Sequence, residues 1–89
     1  MKIKFPIVTG RYEASRAAEL IKILVQAKIN FHSSVMKDEK SPEENILHAE
    51  RRIQDLQKFL NETLLLLEAE SQKGNRIDME AVLDMELEP

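Results

Sequence analysis

Cysteine is absent from the sequence, which excludes a disulfide framework, a thiolate metal site and a cysteine nucleophile. Tryptophan is absent too, and the aromatic residues stop at Phe5, Tyr12, Phe31 and Phe59. Any core must therefore be built from Leu, Ile, Val, Met and Ala, a mix that suits helices better than a β-sandwich. The two glycines, Gly10 and Gly74, stand far apart, so no glycine-rich phosphate loop can form. The longest aliphatic run, Leu64 to Leu67, falls far short of the ~20 residues a membrane span needs. The apolar residues behind Lys2 and Lys4 are cut by Pro6, Gly10 and Arg11 with no small-residue cleavage site, so no secretory leader is expected. A soluble, cytoplasmic chain follows as the default.

A chain of 89 residues makes one domain, 1–89, with a thin core. Hydrophobic residues at 43% against 33% charged give enough aliphatic side chains to fold. Charge is unevenly distributed. Residues 1–40 hold eight Lys/Arg and four Asp/Glu, whereas residues 41–89 hold five and twelve. Two halves that fold onto one another would satisfy this asymmetry without an external partner.

The clearest local signal is Ser41-Pro42-Glu43-Glu44. It predicts a capping box in which Ser41 accepts the N–H of Glu44, the Glu44 side chain reaches back to Ser41, and Pro42 fills the first helical position. From there Ile46, Ala49, Ile53, Leu56, Leu60, Thr63 and Leu67 recur at alternating intervals of three and four, the seam of a paired helix. Lys73-Gly74-Asn75 ends it, a cation facing the dipole and glycine supplying the left-handed cap. The predicted second helix spans about 42–73.

Upstream, Ala17, Leu20, Ile21, Leu24, Ala27, Phe31 and Val35 predict a first helix over about 12–36, its start marked only by the acceptable caps Thr9 and Ser15. The short charged segment Lys37-Asp38-Glu39-Lys40 makes the two helices antiparallel neighbours. Both termini alternate with period two: Met1, Ile3, Phe5 and Ile7 at one end, Ile77, Met79, Ala81, Leu83, Met85 and Leu87 at the other. A helical hairpin returns the chain to its entry point, so these segments could pair as strands with Lys2 and Lys4 near Asp84 and Glu86. That gives β-α-α-β. Against it, Pro6 is unwelcome in a strand, and the Met, Glu, Ala and Leu of the tail also suit a short helix. The tail 75–89 thus fits a strand, a short helix or disorder.

Chemistry is sparsely represented. His32, His48 and Glu44 can be drawn as a metal site, but in the seam frame His48 points to solvent and no Glu-x-x-His pair repeats, so solvated surface histidines are expected and no metal. Ser33 and Ser34 have no oriented base and read as a polar helix end. A two-helix chain has little concavity to shelter catalysis, so neither an enzyme nor a cofactor is expected. Arg11, Arg16, Lys22 and Lys28, with Arg51, Arg52 and Lys58, raise the alternative of a small nucleic-acid-binding regulator using the basic first helix. The net charge of −3 argues against it.

The strongest anomaly lies at Phe59 and Leu64 to Leu67, where four leucines circle the helix while one partner helix covers about a third of it. Leu65 lies opposite the seam, with Leu64 and Leu66 at its flanks. A second copy, a different protein or the terminal strands must cover the rest. The expectation is a mainly α, antiparallel two-helix hairpin, flanked by short strands if the termini pair, that dimerises into a four-helix arrangement. Phe59, Leu64, Leu65 and Leu66 are its self-association residues, in a non-enzymatic interaction or assembly protein.

Overall fold

The computed structural model describes residues 1–88, with the order β1 (Lys2–Glu13), α1 (Ala14–Lys37), α2 (Glu43–Gln72) and β2 (Arg76–Glu86). The two strands form one antiparallel sheet and the helices an antiparallel hairpin. The topology is therefore β-α-α-β, and Arg76–Glu86 of the tail form a strand.

Register explains why the termini pair. Lys2 faces Glu86, Lys4 faces Asp84, Arg11 faces Asp78 and Glu13 faces Arg76, so every charged cross-strand pair but Thr9–Glu80 joins opposite signs. The other side of the ribbon is apolar: Ile3 faces Met85, Phe5 faces Leu83, Val8 faces Ala81, and Tyr12 faces Ile77. A register shift between Pro6 and Val8 makes this possible. On β2 the apolar residues keep odd positions, Val82 excepted, whereas on β1 they pass from odd to even. The extra residue Ile7 absorbs the change of parity, and Pro6, which has no N–H to give, stands beside it. The first strand is accordingly longer than the alternation of Met1 to Ile7 indicates, because the bulge breaks the visible period.

Helix α1 starts directly after the strand, with Glu13 as N-cap and no side-chain cap bond. Neither Thr9 nor Ser15 caps it. Gly10, at φ 151, stands two residues before this elbow, and the Tyr12 ring lies 3.6 Å from where a Cβ would be.

The expected capping box at Ser41 is not formed. Asp38 organises the loop: its Oδ1 accepts the Lys40 N–H at 3.0 Å and its carbonyl accepts the Ser41 N–H at 3.1 Å. Pro42 then stays extended (φ −57, ψ 147), and its carbonyl accepts the N–H groups of Asn45 and Ile46. Pro42 is thus the N-cap itself, and Ser41 lies one residue too early to reach the helix. The other end is as expected. Asn75 N–H donates to the Glu70 carbonyl and Gly74 N–H to that of Ser71, both at 3.0 Å, with Gly74 at φ 72. This paired pattern is the Schellman cap.

The seam of α2 is the one its spacing predicts: Ala49 and Leu67 are buried, and Ile46, Ile53, Leu56, Leu60 and Thr63 are half-buried. Helix α1 differs. Its buried residues are Ala14, Ala17, Val25, Ile29 and His32, whereas Leu24, Ala27 and Phe31 are exposed. Two rows of apolar residues overlap on α1, and the row against α2 is the one interrupted by a histidine. The ribbon touches mainly α1. Its apolar side is buried at Val8 and half-buried at Tyr12, Ile77, Met79 and Ala81, then open at Phe5, Leu83 and Met85.

Candidate interaction surface

The molecule is a thin plate, 48 × 32 × 13 Å, with a radius of gyration of 16.1 Å. A compact domain of this length has about 12 Å. Its accessible surface is 7209 Å², where a folded monomer of 10.3 kDa exposes about 5,400 Å². No large side chain is fully buried among the described residues. The excess surface is apolar in specific places.

Helical phase, ~100° per residue, assigns those places. On α1, Leu20, Leu24, Ala27 and Phe31 follow one another at intervals of three and four on a row beside the seam. In an antiparallel hairpin the matching row of α2 holds His48, Arg52, Phe59 and Leu66. One broad face of the hairpin therefore carries Leu20, Leu24, Phe31, Phe59 and Leu66, with Phe31 58% and Leu66 68% exposed. The opposite face carries Ser15, Glu19, Lys22, Gln26 and Asn30 against Gln57, Asn61 and Glu68. An open groove of about 400 Å³ runs along that polar face, lined by Ala18, Lys22, Leu64 and Glu68 among others.

The four leucine-segment residues are thereby separated. Phe59 and Leu66 share the apolar face, Leu64 is half-buried in the groove of the polar face, and Leu65, 69% exposed, projects from the outer edge of α2. Sequence spacing placed Leu24 and Phe31 on the packed side of α1, so their membership of this face was missed. The signal was the second row through Ile21, Val25, Ile29 and His32.

His32 corrects an expectation. It is buried, 8% exposed, rather than solvated, because its position in the phase of Val25 and Ile29 turns it toward α2. Its Nε2 is the one buried side-chain polar atom without a partner among the described residues. Desolvation, followed by the charges of Lys28, Arg52 and His48, lowers its pKa below 6.5. His48 is exposed. Among the described residues no group of three His, Asp or Glu stands close enough to hold a metal ion.

The basic residues of α1 are dispersed. Arg16 pairs with Glu19 at 3.2 Å, Lys22 lines the polar groove, and Lys28 lies 4.9 Å above the Phe31 ring. Arg11, on the strand, is held by Asp78. Among the described residues no helix is long and apolar enough to cross a membrane. Compared with protein-family models, with curated proteins and with solved structures, the chain matches none.

Proposed function

We propose that this chain is a non-enzymatic interaction and assembly protein that acts as a helical-hairpin homodimer, four helices packed together. The observation that carries this is the surplus of surface. At 7209 Å² the chain exposes about 1,800 Å² more than its mass calls for. Domains are built from at least two packed layers, and a two-stranded ribbon is marginal alone. A second copy supplies the missing layer. If each copy buries its surplus, the interface totals about 3,600 Å², in the range of obligate homodimers.

Sedimentation velocity across the micromolar range tests the proposal. A dimer is expected, and Leu66→Glu should shift it toward a monomer of reduced stability. A wild-type chain that stays a well-folded monomer throughout would sink the idea.

A further inference from the structure

The two broad faces of the hairpin differ, and this difference fixes how a second copy binds. Apolar faces on both sides would let copies stack without end; a single apolar face closes at two, by a two-fold axis that brings each face onto its equal. We infer that the second copy lies on the face formed by Leu20, Leu24, Phe31, Phe59 and Leu66, with α1 crossing over α2 of the second copy. The placement rests on the homodimer reading and adds the face and the helix order.

Charge selects that helix order. Helix α1 holds four Lys/Arg against one Asp/Glu, and α2 holds three against seven. Stacking α1 on α1 would oppose like charges, whereas α1 over α2 opposes unlike ones. On the face itself Lys28 is the cation of α1, while the corresponding row of α2 holds Arg52 and is flanked by the carboxylates of Asp55 and Glu62. With the two-fold axis parallel to the helices, Lys28 comes to the height of Asp55 of the second copy, and Leu24 to that of Phe59. His32 lies just beneath, at the seam, so the second copy also completes its exclusion from water.

The absence of native cysteine makes a direct test available. Leu24→Cys and Phe59→Cys chains are unfolded together, refolded as an equimolar mixture and oxidised, and covalent dimer is read on a denaturing gel. Gln26→Cys mixed with Gln57→Cys reports the polar face, and Leu65→Cys alone reports the outer edge. The expected result is at least a tenfold excess of covalent dimer from the Leu24/Phe59 mixture over both others. A sedimenting dimer that cross-links instead through Gln26/Gln57 or Leu65 overturns the face while leaving the homodimer standing. A wild-type monomer in the same buffer overturns both. Equal yields from Leu24→Cys alone and from the mixture overturn the helix order.

Discussion

Arg11 and Asp78 stand opposite one another across the ribbon, Nε donating to Oδ1 at 2.8 Å and Nη2 to Oδ2 at 3.5 Å. Sixty-seven residues apart in sequence, they tie the two halves of the chain together beside the strand-to-helix elbow. The Arg11 hydrogen bond, and then its charge, hold the Asp78 carboxyl below 3.8, and Asp78 in turn raises the Arg11 guanidinium above its already high ordinary value. The folded carboxylate is favoured over the unfolded one, so the contribution is full above pH 3.8 and fades as pH falls through the lower folded value. Asp78→Asn should lower neutral-pH stability slightly, because the pair is exposed, and that deficit should close as pH falls below 3.8, flattening the acid limb of the stability curve by the same small amount. Denaturant midpoints measured from pH 2 to 6 check this; an unaltered acid limb contradicts it.

His32 titrates in the opposite chemical sense but with the same slope. Its folded pKa lies below 6.5, so in the interval between that value and 6.5 the unfolded chain binds more protons. Stability should rise with pH through this interval and be level above it. His32→Leu removes an unpartnered buried nitrogen, so it should abolish that rise and hold or raise stability at pH 6. Thermal midpoints of the two chains at pH 5.0, 6.0 and 7.5 decide the matter.

In the interhelical loop the sensitive residue is Asp38, not Ser41. Asp38→Ala loses the side-chain bond to the Lys40 N–H and should cost ~1 kcal/mol. Ser41→Ala should change the midpoint by less than ~0.5 kcal/mol, the range of surface substitutions away from such features. Urea denaturation of the two variants separates these outcomes, and a larger loss at Ser41 would restore the capping box.

Gly74→Ala should destabilise by ~1–2 kcal/mol although nothing lies within 4 Å of the new methyl group. The cost is conformational, since φ 72 places any Cβ close to the following carbonyl. Gly74→Asn should recover part of the loss. A neutral Gly74→Ala would mean that the helix ends in some other way.

Much of this architecture is legible in the sequence. Spacing alone locates both helices to within two residues, the α2 seam and the Gly74 cap, and it offers the terminal pairing, with Lys2 and Lys4 near Asp84 and Glu86, as one of three readings of the tail. Three features escape it, each for a physical reason. The Ser41 box competes with an equally local turn at Asp38, and backbone geometry at Pro42 decides between them. The second half of β1 is masked by the bulge. On α1 the row Leu20, Leu24 and Phe31 is the more hydrophobic of two, and the conventional inference buries it; burial instead goes to the row that fits against α2. Of the candidate surface, Phe59 and Leu66 follow from counting leucines, and the α1 half requires the hairpin's phase.

The extra residue at Ile7 makes the first strand behave like two words read in different frames. Substituting Ile7, whose side chain is exposed, leaves both frames intact. Deleting it would join them into one alternation with every cross-strand pair kept, Pro6 against Val82 and Val8 against Ala81, so that Lys2, Lys4 and Arg11 stay on the charged side. The strand is thus tolerant of what stands at that position and of its loss as well, whereas a deletion farther along either frame turns the side chains between it and the bulge to the wrong side, a contrast that a deletion scan along residues 2–13 would register as a maximum of stability at the bulge.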